Sequence, residues 1–197
     1  MILETERLTL RPWRETDAAV LYQYAKDPRV RPIAGWPVHT SIENSRQIIR
    51  DVLMVEETYA VCLKGETDPI GSIGLMIGEK SNLGIPSNEG EIGYWIGVPY
   101  WGQGLIPEAV RELVRYGFQD LGLRCIWCGY FDGNNKSRRV QEKCGFQYHH
   151  TENGKPYPLI NAVKTQHVTC MTEQQWEVLR SEREVTKYAP PPKGAER

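Results

Sequence analysis

The residues best placed to do chemistry are in the run Trp101-Gly102-Gln103-Gly104-Leu105-Ile106-Pro107. Two glycines bracketing one residue let the main chain take positive φ and let a ligand approach it with no Cβ in the way. Pro107 suits the first turn of a helix, where a missing N–H costs nothing. The amides of Gly102, Gln103, Gly104, Leu105 and Ile106 are therefore expected to point outward at the partly positive end of that helix. Such an end receives phosphate. The spacing is not that of a Walker loop, because no Lys-Ser/Thr follows Gly104. Nor is it a dinucleotide fingerprint, since Pro107 stands at the third glycine position. On the glycines alone, a plain strand-to-helix connection fits as well.

Other groups with chemical potential lie elsewhere in the chain. Asn134 and Ser137 open a segment that reads as a short helix closed by Gly145 as its C′ residue. Glu91 is a carboxylate at the entry of a strand, and Glu108 sits where a helix dipole favours an acid. His149, His150 and His167 have ordinary imidazoles suited to proton transfer near neutrality, although lone histidines are mostly surface or core residues. Cys125 and Cys128 have CxxC spacing, but on a strand residues three apart face opposite sides. Five cysteines without a second close pair suit buried, reduced thiols, so neither a metal site nor redox use is expected.

Periodicity supplies the elements that position these groups. Ile92, Tyr94, Ile96 and Val98 fall on one face of a strand and Glu91, Gly93, Trp95 and Gly97 on the other, and Pro99 ends it. After the glycine turn, Val110, Leu113, Val114, Gly117, Phe118 and Leu121 recur with helical spacing, which marks an amphipathic helix packed on a sheet. Upstream, residues 5–13 read as a strand, 17–26 as a helix behind the N-cap Thr16, and 29–39 as a loop. A capping box at Thr40 to Glu43 starts a helix with a buried stripe of Ile48, Ile49, Val52 and Leu53. Strands follow over 59–63 and 70–77, and a polar loop over 80–90. Beyond the central helix, strands are expected over 124–131, 146–149 and 163–171. A final helix opens at Thr172 and extends to 187, and the proline-rich stretch 188–197 is expected to be disordered.

The composition bounds the rest. A chain of 197 residues, 40% hydrophobic and 25% charged, is one domain able to bury about 70% of its unfolded surface. With 25 acidic against 24 basic residues and no long run of one sign, it has no nucleic-acid footprint. No apolar run of membrane-spanning length, about 18 residues, and no signal peptide is visible, so a cytoplasmic protein that is not membrane-bound is expected. Strands with helices inserted between them give an α+β layered sheet.

Taken together, the run YWGQGLIPEAV, from Tyr100 to Val110, and the later NxxS…EKCGF segment, from Asn134 to Phe146, resemble the GCN5-related N-acetyltransferase (GNAT) superfamily. Within it the chain looks most like the RimJ/RimL branch, which acetylates ribosomal-protein N-termini; its opening ETERLTLRPW, from Glu4, is similar to that branch's first strand. The resemblance extends to Met171 and implies a GNAT domain over 4–171. The sheet would be mixed but mostly antiparallel, with flanking helices and a splayed strand pair. It implies acetyl-CoA as cofactor, held through its diphosphate by the turn amides of residues 102 to 106. The main chain of Ile96 and Val98 would hold the pantetheine arm, with Asn134 as a further contact. An amide near Gly97 or Val98 would stabilise the oxyanion, and Trp36 and His39 would contact the acceptor.

The resemblance also shows departures. The superfamily's usual tyrosine acid is replaced by Gln141, Trp101 stands where Gln or Arg is common, and Ile106 replaces a small residue. In the resembled branch the NxxS serine protonates the leaving thiolate, which gives that role to Ser137, with Glu91 as a base acting through water. An α-amine of pKa about 8 is roughly one tenth neutral at pH 7, whereas a lysine-like amine near 10.4 is neutral to well under about 0.1%. A protein N-terminus therefore needs less from a base than other acceptors. The expected activity is N-acetyl transfer to such an amine by a monomer or homodimer. The alternatives are an aminoglycoside or polyamine acetyltransferase, or a weakly catalytic acyl-CoA sensor.

Overall fold

The computed structural model describes residues 1–30 and 35–188, with side chains in the last helix as far as Glu182. In chain order the elements are β1 (Leu3–Glu4), β2 (Leu8–Pro12), α1 (Ala18–Ala25), α2 (Ile42–Ile48), β3 (Thr58–Leu63), β4 (Pro69–Ile77) and β5 (Glu89–Ile96). There follow α3 (Leu105–Gln119), β6 (Cys125–Phe131), α4 (Asn135–Cys144), β7 (Gln147–Tyr157), β8 (Ala162–Thr172) and α5 (Glu173–Tyr188). The strands form one sheet in the order β1-β2-β3-β4-β5-β6-β8-β7. Every neighbouring pair is antiparallel except β5 with β6. Parallel strands need a crossover, and α3 supplies it.

Each face of the sheet has its own core. On one, α3 buries Leu105, Ala109, Val110 and Leu113 against Leu8, Leu10, Ile73, Leu75, Ile92 and Ile126. Each fully buried aliphatic side chain there contributes about 1.5–3 kcal/mol. The other core is smaller: Trp13, Ala18, Leu21, Ala25 and Ile49 pack on Ala60 and Cys62, with Trp36 and Trp95 at its edge. That side is fastened by Arg11, which forms two 2.8 Å bonds to the Asp17 carboxylate, both residues being buried.

Several elements differ from the sequence expectation. The first strand divides because Thr5 and Leu8 close a turn, Thr5 N donating to Leu8 O at 2.9 Å and Leu8 N to Thr5 Oγ1 at 2.9 Å. The expected stripe on the second helix holds at Ile49, but Ile49–Leu53 winds as a wide π turn, and Val52 is 57% exposed. Val98 lies beyond the end of β5, in a single 3₁₀ turn over Val98–Tyr100. The strands expected over 146–149 and 163–171 are longer, and they pair as a hairpin with two irregularities. Residues 31–34 of the expected 29–39 loop lie outside the described residues. So does the expected tail over 188–197, apart from Tyr188, which ends α5.

Candidate active site

The site begins where the sheet divides. β5 and β6 pair only from Glu89↔Cys125 to Ile92↔Cys128. Beyond that point β5 stays with β4 as far as Ile96, and β6 stays with β8 as far as Phe131. A wedge-shaped opening results. Gly97 N donates to Ile70 O at 2.8 Å, and in an antiparallel ladder the bonding direction alternates. The main-chain groups of Tyr94 and Ile96 therefore face the opening. Two side chains partly stand in for the missing strand. Trp101 Nε1 donates to Ile96 O at 2.9 Å on one side, and Gln141 Nε2 donates to Gly129 O at 3.1 Å on the other.

Of the two amides expected near the oxyanion, that of Gly97 is thus already bonded to β4. Val98 N has no acceptor among the described residues.

At the turn, Gly102 and Gly104 have φ of 77° and 75°, and Gly104 is the N-cap of α3. Among the described residues the amides of Gly102, Gln103, Gly104, Leu105 and Ile106 have no acceptor, which leaves five consecutive donors free for an anion. Sequence reading missed the cations beside them. Glu108 accepts from Thr5 Oγ1 at 2.6 Å, Arg7 N at 2.8 Å and Arg7 Nε at 2.7 Å. This holds the Arg7 guanidinium against the turn, where Nη1 donates to Gln103 O at 3.1 Å. Burial pushes the Glu108 carboxyl up, but these bonds outweigh it and hold the group below its ordinary range. At the residue that precedes the turn, the Lys136 ammonium lies 3.3 Å from the centre of the Trp101 ring. Nothing local marks Arg7; only the β1–β2 turn brings it there.

The start of α4 faces the same opening. Asn134 caps the helix, its Oδ1 accepting from Ser137 N at 3.1 Å. The Ser137 hydroxyl oxygen lies 2.8 Å from the Tyr94 hydroxyl of β5 and 3.3 Å from Gln141 Nε2. Gln141 is buried, and its Oε1 accepts from Thr169 Oγ1 at 2.8 Å. Burial pushes the Tyr94 phenol well above its ordinary pKa, so it stays protonated.

The opposite face of the opening is aromatic. Trp36 meets Trp95 at 5.7 Å between ring centres, Phe131 meets Tyr157 at 4.8 Å, and Gly35 lies over the Phe131 ring. Gly35-Trp36 therefore crosses from β6 to β5. His39 is buried behind Trp36, with Nδ1 2.8 Å from Ser45 Oγ. Gln166, held by the Tyr157 hydroxyl, fills the space a Cβ at Gly129 would need.

Glu91, two positions of the pleat from Trp95 on the same face of β5, is buried, with Oε2 accepting from Ser81 Oγ at 2.7 Å and Asn82 N at 3.0 Å. Burial raises its pKa against those bonds. The histidines are committed to the β7–β8 hairpin. His149 stacks edge-on to Trp127 and lies 2.8 Å from His150 between Nδ1 atoms. His167 binds Thr151 and Asp132. Cys125 and Cys128 are both buried, and no group of three or more metal-binding side chains is present among the described residues.

The free amides, the two flanking cations and the unpaired main chain fit a long diphosphate-bearing thioester such as acetyl-CoA. Comparison with known proteins points the same way. A model of the acetyltransferase (GNAT) domain matches residues 7–147. A Bacillus licheniformis relative named as an uncharacterized N-acetyltransferase, p20, is 33% identical over 150 residues, covering 74% of this chain and 82% of its own. The solved ribosomal-protein-S5-alanine acetyltransferase of Vibrio fischeri superposes with a TM-score of 0.69 at 22% identity, covering 89% of this chain and 98% of that one. The microcin C7 self-immunity acetyltransferase MccE, solved with acetyl-CoA and AMP, gives 0.70 at 20% identity, with 85% and 93% covered.

Proposed function

Since the chain belongs to the acetyltransferase (GNAT) family, whose acyl donor is acetyl-CoA, we propose that it acetylates a primary amine of low basicity, a peptide N-terminal α-amine, as in the RimJ/RimL branch. The observation that carries this reading is the acceptor side of the opening. There, among the described residues, the buried carboxylate Glu91 gives one oxygen to Ser81 and Asn82, and in this reading it would act on the acceptor through water. Such a base suits an amine that is already partly neutral at pH 7. A small amine is the second reading, because Trp36, Trp95, Phe131 and Tyr157 form aromatic walls that attract a cation.

In this reading the free amides of residues 102 to 106 and the Arg7 guanidinium hold the diphosphate. Tyr94 and Ile96 offer main-chain groups to the pantetheine arm. Acetyl-CoA, when bound, supplies the thioester carbonyl that the amine attacks. Val98 N meets the negative charge that gathers on the carbonyl oxygen. Ser137 stands at the side of the opening where the sulfur leaves, and its hydroxyl supplies the proton. Trp36 shapes the acceptor entry, with His39 supporting it from behind.

CoA release measured against peptides with a free N-terminus, Nα-blocked lysine peptides, polyamines and aminoglycosides tests the proposal. At least about tenfold higher kcat/KM for the free N-terminus is expected, since its neutral fraction is larger. A preference for polyamine or aminoglycoside would overturn the acceptor assignment. Tight acetyl-CoA binding without turnover on any amine would mark a sensor instead.

A further inference from the structure

The Ser137 hydroxyl sits between two polar side chains, Tyr94 and Gln141, that restrict where its proton can point. A hydroxyl has one proton to donate and two lone pairs to accept with. Gln141 Nε2 must be the nitrogen end of its amide, because it also faces the Gly129 carbonyl, which only accepts. Gln141 therefore donates into Ser137 Oγ at 3.3 Å. The Tyr94 phenol has two acceptors in reach, Ser137 Oγ at 2.8 Å and Ser137 O at 3.3 Å, and the shorter contact is the hydroxyl oxygen. When Tyr94 donates across the shorter contact, both lone pairs of Ser137 Oγ are occupied and its O–H is left to point away from Tyr94 and Gln141, toward the opening.

Resting on the acetyl-transfer reading above, we propose that Tyr94 is a positioning residue which, with Gln141, aims the Ser137 proton at the leaving sulfur and replaces that proton as it departs. The bookkeeping of the step closes. The amine nitrogen forms the new C–N bond and loses one proton to water. The C–S bond breaks with its electron pair on sulfur, and sulfur takes the Ser137 proton. Ser137 Oγ takes the Tyr94 proton; the amine's proton passes through water to Glu91, and Tyr94 takes one back from solvent after CoA leaves, as Glu91 returns its own to solvent. Tyr94 does the work of the tyrosine that Gln141 displaces, but from β5 rather than from α4 and through Ser137 rather than directly. Burial keeps the phenol protonated throughout the neutral range and opposes its ionisation, so its proton moves only in concert with that of Ser137.

Tyr94→Phe, Ser137→Ala and the double variant, each compared with the wild-type full chain, test this. The readouts are kcat and KM for CoA release with the best amine of the panel, and acetyl-CoA affinity by calorimetry. Tyr94→Phe keeps the ring and is expected to lower kcat by roughly 100-fold, the low end for a lost proton-transfer aid because Tyr94 acts through Ser137, with acetyl-CoA affinity unchanged. Added to Ser137→Ala it should cost nothing further, because the two act as a unit. Wild-type kcat in Tyr94→Phe overturns the proposal, as does a loss that adds in full to that of Ser137→Ala. A wild-type chain that binds acetyl-CoA but turns over no amine overturns the transfer reading itself, and the positioning role with it.

Discussion

At the scale of single residues, the sign of a pKa shift decides what acid does to this fold. Burial alone pushes the His39 imidazole down to about 4. Below the ordinary value near 6.5 the unfolded chain takes a proton that the folded chain refuses, so stability falls as pH drops toward 4. The full effect is about 3 kcal/mol, lost at about 1.4 kcal/mol per pH unit between the two values. In His39→Gln, which retains a polar partner for Ser45, urea titrations should show a slope in that window shallower by about this amount. An unchanged slope would mean that His39 titrates freely. In the proposed reading Arg7, besides bracing the β1–β2 turn against Glu108, acts on the ligand. Arg7→Ala should weaken acetyl-CoA about 10- to 100-fold, within the range for one lost charge-assisted contact, with kcat little changed. Calorimetry alongside turnover checks it, and equal affinity would remove Arg7 from the phosphate site.

At the scale of elements, β5, the glycine turn and α3 were legible in the sequence because each announces itself locally: a period of two, two glycines, then a period near 3.6. The turn's geometry makes its own prediction. Gly104 is left-handed at φ 75°, and a Cβ there would stand 3.6 Å from Arg7 Nη2, so space is available and the cost is conformational. Gly104→Val should lose about 1–2 kcal/mol of stability and weaken acetyl-CoA, while Gly104→Asn should be milder, since asparagine tolerates that region. Equal effects of the two substitutions would show that the turn does not need its left-handed residue. The hairpin was not legible, because β7 contains Asn153, Gly154 and Pro156, which read as turn formers. Pairing with β8 overrides them, and an edge strand accommodates the proline. Tyr94 was visible as an inward strand residue, but its contact with Ser137, 43 positions away, exists only once α4 docks. Neither Arg7 beside Gln103 nor the bond that occupies the Gly97 amide has any local signature.

For the molecule as a whole, the smaller core depends on a buried charge pair. Arg11 gives two bonds to Asp17 and one to Thr67 O at 2.6 Å, and its Nε is buried without a partner among the described residues. Asp17→Ala would leave that guanidinium uncompensated and should cost about 3–5 kcal/mol, seen as a large drop in the urea midpoint. Replacing both partners with apolar residues should cost much less. If the single and double variants are equally unstable, the pair is not what fastens α1 to β2. The short seam between β5 and β6 has a further consequence. Four register pairs are the whole spine on which two leaves of the sheet hang, one of five strands and one of three. A thioester arm lying along Tyr94 and Ile96 would bridge the leaves like an inserted page, so donor occupancy should slow hydrogen exchange on both sides of the spine and not only where the nucleotide rests.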